Sequence, residues 1–279
     1  YGMTYYGGSA SDPAAGGTVF RMNTNGTGYG ILHNFDGALG GGTNPYGSLC
    51  LAGSTLYGTT SAGYNPQGGA NNSGTVFRIN TDGTGFSDLH AFPVADSITN
   101  ATDGENPNST LALSGSTLYG ATTNGGAFGH GTIFRMDTTG SGFSLVHHFA
   151  GGVVDGALPL SPIVSGATIY GMTGGGGSGG GAGTIYRMST DGTGYSVLYA
   201  FAGDGLITGG TFPYTGSLTL SGQKLRGMTT QGGALDRGAI FSMNTDGTGY
   251  GVLHSFAAGP ADGSEPWDSL ILSDATLYG

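Results

Sequence analysis

The sequence is poor in charged residues, and the few basic ones are outnumbered. Only 9% of the 279 residues are charged, with 7 Lys and Arg against 17 Asp and Glu. Nucleic-acid binding needs a basic surface, so a formal charge of −10 argues against a nucleic-acid partner. Scarce lysine with abundant Gly, Thr and Ser is typical of bacterial or archaeal surfaces, so we expect an extracellular or cell-surface location.

Cysteine and long apolar runs are also scarce. Cys50 is the only cysteine, so the chain cannot form an internal disulfide. No apolar run approaches the roughly 20 residues of a membrane helix, and we expect no membrane span in this chain. The sequence opens at Tyr1 rather than at a methionine, which indicates a mature protein or a fragment.

Glycine, by contrast, is abundant, with 61 residues. There is no Gly-X-Y period, which excludes collagen, and the hydrophobic residues (37%) fall in short, regularly spaced runs. This regular spacing argues against disorder and favours many short strands.

One of these runs returns five times. The run GTVFRMN and its variants begin at Gly17, Gly74, Gly131, Gly183 and Gly238, with spacings of 52 to 57 residues. Around each copy lie three other short apolar runs, of the types SLCLAG, TLYGTT and YGILHNF. We therefore predict repeats of four strands, each repeat forming one antiparallel sheet that must stack on its neighbours.

A second repeated stretch, NTDGTGY, lies between the third and fourth strands of each repeat. It occurs at Asn244–Tyr250 and, with small changes, in the other repeats. Asp-Gly between alternating apolar runs indicates a hairpin turn. Asp-x-Asp-Gly also opens a calcium-binding EF-hand loop, but the remaining ligands and the closing Glu are missing. The motif therefore predicts a structural turn.

The two ends of the sequence predict how the repeats are arranged. The chain opens in a second strand and closes with a first strand, SLILSD, followed by TLYG. A C-terminal first strand that joins the N-terminal blade closes a ring and removes exposed sheet edges. We predict an all-β, five-bladed β-propeller of four-stranded antiparallel blades, forming a single domain over residues 1–279. An open array remains the alternative if the ends pair between chains.

The repeat as a whole resembles a known family. The pattern GTVFRMNTDGTGYSVLHSF, followed by Asp-Gly, Pro and SLxLSGSTLYGTT, is similar to the GloVer-type tandem repeats of bacterial surface proteins with varied C-terminal anchors. The strand order also resembles that of YVTN-type propeller repeats. The resemblance implies secretion and surface display, and it implies no particular chemistry.

The connections between strands indicate where a binding site would lie. The first-to-second and third-to-fourth turns are short and nearly constant, whereas the other two connections differ in every repeat. Because rigid scaffolds carry function on variable loops, we place any site at the variable end.

Three aromatic residues at that end are the candidate ligand-binding residues. Tyr46, Tyr214 and Trp267 each follow a proline shortly before a first strand, where they would form stacking platforms for sugar rings. Glu265 and Asp268 flank the only tryptophan and would accept sugar hydroxyls. Packing between blades is the competing interpretation, favoured for the tyrosines.

Repeated acidic residues are weaker candidates. An Asp-Gly pair in each fourth-to-first loop would provide a ring of carboxylates for a hard cation: Asp36, Asp103, Asp155, Asp204 and Asp262. Structural pairing of each Asp with a backbone N–H or with the arginines of the third strands is the favoured alternative. We expect no metal and no cofactor.

The histidines repeat as well, but they lie in the fourth strands of different blades and cannot share a metal ion. We expect His33, His90, His147 and His254 to bond to neighbouring backbone or hydroxyl groups. The first strands carry no carboxylate and no acid–base pair is evident, so we expect no enzymatic activity.

Four Asn-x-Ser/Thr sequons are candidate glycosylation sites: Asn25, Asn71, Asn100 and Asn108. Both chain ends correspond to one second-strand position, so a displaced end would pair with another subunit as a donated strand. The sequence thus predicts a non-catalytic structural or adhesive subunit of a surface assembly or filament. A lectin-like module that binds glycans at the variable end is the alternative.

Overall fold

The computed structural model describes residues 1–8, 16–35, 42–63, 73–93, 103–178, 180–202, 209–214 and 216–279. The chain forms two compact units, Tyr1–Leu145 and Val146–Gly279. No described residue belongs to a helix long and apolar enough to cross a membrane.

The first unit contains three sheets, whose strands lie in sequence order. The first sheet is β1 (Gly2–Thr4), β2 (Thr18–Arg21) and β3 (Gly30–Asn34). The second is β4 (Thr43–Ala52), β5 (Thr55–Ala62), β6 (Thr75–Asn80) and β7 (Ser87–Ala91). The third is β8 (Ala112–Ser114), β9 (Thr117–Thr122), β10 (Thr132–Asp137) and β11 (Ser144–His148), and the boundary between the two units falls within β11.

The second unit contains three further sheets. The first holds β12 (Gly156–Pro159), β13 (Ile163–Ser165), β14 (Thr168–Gly176), β15 (Thr184–Ser189) and β16 (Ser196–Ala200). The next holds β17 (Thr219–Ser221), β18 (Lys224–Thr229), β19 (Ala239–Asn244) and β20 (Gly251–Ser255). A hairpin of β21 (Ile271–Ser273) and β22 (Thr276–Tyr278) follows.

The prediction of an all-β fold with four strands to a repeat is confirmed for the central repeats. The C-terminal first strand, β21, pairs with β22, and among the described residues β1 pairs only with β2. The predicted ring closure is therefore not among the described pairings, and the single domain stays a prediction.

The hydrophobic core of each unit lies between successive sheets. One cluster joins Val19 and Phe35 of the first repeat to Leu56, Phe77 and Ile79 of the second, all at most 1% exposed. Equivalent clusters recur further along both units. Because a twisted sheet with two apolar faces cannot bury both alone, each repeat depends on its neighbours for stability.

The fourth strand of each repeat forms an edge of its sheet. Its pairing with the third strand is interrupted by a register shift, that is, a β-bulge. The shift falls at equivalent positions, such as Val76/Phe77 and Ile240/Phe241. Such bulges twist an edge strand and hinder pairing with other chains.

Candidate functional site

The two ends of each sheet differ in the connections they carry, as predicted. At one end, the N–H of Thr81 donates to the carbonyl of Ser54 (2.9 Å), which joins the two short turns of the second repeat. At the other end the variable connections meet, as in the bridge between Glu105 and Asn124. We call these the constant end and the variable end of a sheet.

The turns at the constant end are built by the repeated motif. In the second repeat, Asp82 Oδ1 accepts hydrogen bonds from the N–H (2.9 Å) and the hydroxyl (2.7 Å) of Thr84. These bonds lower the pKa of Asp82. Gly83 and Gly85 have the left-handed φ angles that the turn needs, 91° and 66°. A side chain on Gly83 would lie 3.3 Å from the carbonyl oxygen of Leu32 in the preceding repeat. The motif therefore forms a turn and also a close contact between repeats.

The histidines of the fourth strands stack on aromatic rings of the next repeat. The rings are nearly parallel, within 8°, with centroids 3.7 to 4.2 Å apart: His33 on Phe86, His90 on Phe143 and His147 on Tyr195. Tyr199 takes the same position on Tyr250, at 3.8 Å and 6°. Stacking of this kind contributes roughly 0.5–1.5 kcal/mol beyond the burial of apolar area.

Each of three histidines also faces the Asp of its own Asp-Gly pair. His147 Nε2 lies 3.3 Å from Asp155 Oδ2, His254 Nε2 lies 3.2 Å from Asp262 Oδ2, and His90 Nε2 lies 3.9 Å from Asp103 Oδ2. The expectation that these histidines bond to backbone or hydroxyl groups was wrong for these three. Their position opposite a carboxylate in the folded sheet cannot be read from spacing along the chain.

Asp155 shows what the Asp-Gly pair does. Its carboxylate accepts hydrogen bonds from the N–H of Ala150 (2.8 Å) and the N–H of Gly156 (2.7 Å) as well as facing His147. Burial alone would raise the pKa of Asp155, but the hydrogen bonds from His147, Tyr195 and Ala150 outweigh it and lower the pKa. Backbone pairing was therefore predicted correctly, while histidine replaces arginine as the side-chain partner.

The arginines of the third strands lie opposite tyrosines instead. Arg78 is the cross-strand partner of Tyr57, and Arg78 Nε donates to the hydroxyl of Ser87 (3.1 Å). In the last complete repeat the pair becomes Arg226 opposite Ser242. In this repeat the third strand has Ser242 in place of the arginine, and the second strand has Arg226 in place of the tyrosine.

No group of three His, Cys, Asp or Glu side chains that could hold a metal ion occurs among the described residues. Two members of the proposed carboxylate ring, Asp36 and Asp204, lie outside the described residues. Cys50 is half-buried in β4, and burial raises the pKa of its thiol.

A proline clasp joins successive repeats at the variable end. The residue before each proline has a left-handed φ of 51° to 58°: Asn44, Asn106, Leu158, Phe212 and Glu265. For Asn44, Asn106, Phe212 and Glu265 the N–H bonds to the repeat before, as from Asn106 to the carbonyl of Ser73 (2.8 Å). The proline ring then covers the glycine that opens the third strand, so a side chain on Gly74 would lie 2.6 Å from Pro107 Cδ.

The candidate aromatics directly follow these prolines. Trp267 is 61% exposed, and Tyr214 is 45% exposed while stacking on Phe212 at 5.7 Å and 9°. Tyr46 is half-buried in β4. A side chain on Gly216 would collide with the carbonyl oxygen of Asp268, so the two segments bearing Tyr214 and Trp267 run close together.

Glu265 and Asp268 hold the backbone on either side of Trp267. Both have left-handed backbone conformations, with φ of 52° and 80°. Glu265 also forms an exposed ion pair with Arg237 (3.8 Å) and donates its N–H to the Arg237 carbonyl (2.8 Å). The indole is thus presented on a segment that is fixed at both sides.

Two aromatic residues at the variable end were missed from the sequence. Tyr5 and Tyr6 follow β1 and are 41% and 63% exposed, and Tyr5 contacts both Tyr6 and Tyr46 edge to face. Their equivalents in the second repeat are Ser61 and Ala62. That departure from the repeat pattern was the signal that could have revealed them.

The described sequons differ in accessibility. Asn25 is exposed in a constant-end turn, where its Oδ1 accepts from the N–H (3.1 Å) and hydroxyl (2.7 Å) of Thr27. Asn108 is half-buried, and its Oδ1 is enclosed without a hydrogen-bond partner among the described residues. Asn71 and Asn100 lie outside the described residues, and glycosylation stays a prediction.

The repeats identify a family. A model of the Gloeobacter/Verrucomicrobia repeat matches residues 1–180. The chain belongs to this repeat family. The predicted resemblance to a bacterial tandem repeat is confirmed at that level, and no curated protein sequence matches the chain.

Solved structures support the fold. A chain in the crystal structure of a nidogen/laminin complex is 13% identical, with a TM-score of 0.56, over 99% of this chain and 84% of that chain. TolB from Acinetobacter baumannii is 14% identical, with a TM-score of 0.50, and the match covers 83% of this chain and 47% of TolB. Both structures are propeller-like, which confirms a propeller-like all-β fold for this chain.

Proposed function

We propose that the protein is a non-catalytic, extracellular interaction scaffold that serves as a structural or adhesive subunit of a cell-surface assembly. In this proposal its repeats form a five-bladed ring, with the C-terminal first strand completing the N-terminal blade. The surface location is supported by the low charge, the scarcity of lysine and the bacterial repeat family.

The proposal rests on a difference between two groups of residues. The repeated residues make contacts that hold the fold together, whereas unrepeated residues at the variable end are exposed. Histidines, Asp-Gly pairs and glycines of the repeats bond to neighbouring repeats or close turns. Trp267, Leu235, Val153 and Val154 are 60% to 80% exposed. Exposed apolar groups on loops are typical of interaction surfaces, not of acid–base catalysis.

A similar structure comes from a complex of two proteins, nidogen and laminin. Its propeller-like fold is compatible with a role in protein association, and we extend that role to this chain as part of the proposal.

Self-association through a terminal strand follows from the exposed C-terminal hairpin. Tyr278 is 57% exposed, whereas its equivalents Tyr57, Tyr119 and Tyr170 are 6% to 9% exposed. In complete repeats this tyrosine lies next to a third strand, so β22 presents an edge that a third strand of the same type fits. Because β1 already pairs with the third strand β2, we expect the third strand that fits β22 to come from a second copy whose own β1 is displaced.

Negative-stain electron microscopy at micromolar concentration, with sedimentation velocity, tests the assembly. We expect filaments or sheets from the 279-residue chain and discrete particles from Tyr278→Glu. Phe128→Glu is the matched control, since Phe128 is equally exposed (58%) but lies in the loop between β9 and β10 of a central repeat. Monomeric discs from the unmodified chain would contradict the assembly proposal.

A second candidate function, binding of neutral glycans, is supported by Trp267. Its side chain is exposed, not packed between repeats, and carboxylates flank it on a fixed backbone. Because it is the only tryptophan, its fluorescence reports this site alone. We expect quenching and a blue shift when cellohexaose is added, and an unchanged spectrum at millimolar cellohexaose would contradict glycan binding at Trp267.

A further inference from the structure

Three tyrosines of the first unit form a contiguous aromatic cluster at the variable end. The ring centroids of Tyr5 and Tyr6 are 4.6 Å apart, and those of Tyr5 and Tyr46 are 6.1 Å apart. Both neighbouring rings stand at 85° to Tyr5. The edge-to-face arrangement leaves Tyr6 63% exposed.

The strands and the proline clasp hold the cluster in place. Thr4, the last residue of β1, shares a hydrogen bond with the hydroxyl of Thr18 (2.9 Å), which fixes the chain just before Tyr5. Asn44 Nδ2 donates to the Tyr5 carbonyl (3.3 Å), and the Thr59 hydroxyl donates to the Tyr46 carbonyl (3.3 Å). The rings therefore project from an anchored backbone, which favours binding because little order is lost.

The fold does not require aromatic residues at these positions. The equivalents of Tyr5 and Tyr6 are Ser61 and Ala62 in the second repeat, and the equivalents of Tyr46 in the next two repeats are Asn108 and Leu160. Those repeats form the same sheets, and the residues before their prolines, Asn106 and Leu158, have the same left-handed conformation. The cluster is thus a local addition to a scaffold that folds without it.

The surroundings indicate the chemistry of the ligand. Among the described residues, no ion pair or hydrogen bond links a charged side chain to Tyr5, Tyr6, Asn44 or Tyr46. Asn44 is oriented by its bond to Tyr5, which leaves its Oδ1 as an uncharged acceptor. Aromatic faces attract the slightly positive C–H groups of a pyranose ring, and the tyrosine and asparagine oxygens bond to its hydroxyls.

We propose that Tyr5, Tyr6 and Tyr46 form a binding site for neutral, β-linked glucose-type oligosaccharides that does not require Trp267. All ring substituents of such sugars are equatorial, so both faces present C–H groups to flat aromatic rings. The inference deepens the glycan-binding candidate and rests on it for the ligand class.

Calorimetric titration in a Trp267→Ala background isolates this site. We expect cellohexaose to bind the Trp267→Ala protein, and the further change Tyr6→Ala to weaken binding about tenfold, as for an aromatic anchor in an interface. Tyr6→Phe should retain most of the affinity, because the ring face is preserved. Tyr29→Ala is the matched control, since Tyr29 precedes β3 at the opposite end of the same sheet and is equally exposed.

The outcomes separate the two sites. Equal affinities of Trp267→Ala with and without Tyr6→Ala would overturn the tyrosine site, as would an equal loss in the Tyr29→Ala control. Absence of binding heat from the Trp267→Ala protein would also overturn the tyrosine site. The fluorescence of Trp267 in the unmodified chain tests the Trp267 site independently. Circular dichroism confirms that each variant is folded.

Discussion

The constant and variable ends of the sheets use their sequence in different ways. At the constant end, a carboxylate, a threonine and two glycines recur and satisfy one another, as Asp246 and Thr248 do in the last complete repeat. At the variable end the proline clasp and the Asp-Gly pair recur, but the residues that follow the prolines change from Asn108 to Leu160 to Trp267. The sequence of the constant end therefore repeats because each turn needs the same residues to form. The sequence of the variable end can change because the proline clasp already fixes the backbone there.

This difference separates structural from functional residues without knowledge of a ligand. A repeated residue such as His147 or Gly183 contacts another repeat, whereas unrepeated Tyr6 and Trp267 are exposed.

The largest effect is expected from a glycine of the clasp. Gly74 has a φ of 107°, and a side chain there would lie 2.1 Å from the carbonyl oxygen of Thr60. Gly74→Ala should lower the free energy of unfolding by about 3 kcal/mol or more, because backbone strain adds to a collision with backbone. Urea unfolding followed by circular dichroism measures the loss.

Gly53→Ala is the matched control in the same unit. Gly53 also has a left-handed φ, 59°, but a side chain there meets nothing within 4 Å. Its cost should be about 1 kcal/mol, the conformational penalty alone. Equal losses for the two variants would contradict the collision as the cause of the larger effect at Gly74.

An intermediate effect is expected at Asp155. Asp155→Asn should destabilise the fold by about 1–2 kcal/mol at pH 7, because the bonds to Ala150, Gly156 and His147 lose their charge-assisted acceptor. The folded-state pKa of Asp155 is lowered, so its contribution is present above the ordinary carboxyl pKa of about 4 and is lost as the pH falls through the folded value.

The measurement is urea unfolding of both proteins from pH 7 to pH 3. The difference in unfolding free energy should shrink as the pH falls. A difference that stays constant over this range would exclude the carboxylate as its cause.

A smaller, stabilising effect is expected at Tyr186, which replaces the phenylalanine of the other third strands. Its ring is fully buried, and its hydroxyl has no hydrogen-bond partner among the described residues. Tyr186→Phe should raise the unfolding free energy by about 1 kcal/mol, since an unsatisfied buried polar group is removed. The reverse change at the equivalent Phe134 should be destabilising, and a neutral Tyr186→Phe result would indicate that a bound water satisfies the hydroxyl.

The smallest effect on stability is expected at the variable end. Trp267→Ala and Leu235→Ala remove side chains that are 61% and 60% exposed, so each should change the unfolding free energy by less than about 0.5 kcal/mol. Thermal unfolding monitored by circular dichroism checks this. A large loss of unfolding free energy for Trp267→Ala would indicate that the indole packs against neighbouring residues instead of being free to bind a ligand.

Strand order, the Asp-Gly turns and the two kinds of sheet end were predictable, because alternation, turn chemistry and repeat period depend on neighbouring residues. The His147–Asp155 pair and the stack on Tyr195 were not, because register and the packing of one repeat on the next decide which side chains meet. The exposed tyrosines were missed for the opposite reason: Tyr5 and Tyr6 lie where the repeat pattern breaks.

Hydrogen–deuterium exchange of the 279-residue chain, with and without cellohexaose, tests whether ligand binding is confined to the variable end. The turns at the constant end, such as Asn80–Gly85, should exchange slowly and identically in both samples, since their amides are bonded within the fold. Protection should appear on binding only at the variable end, around Thr43–Gly47 and Glu265–Ser269. Protection gained at the constant end, or none gained at the variable end, would contradict the division between a constant end that builds the fold and a variable end that binds.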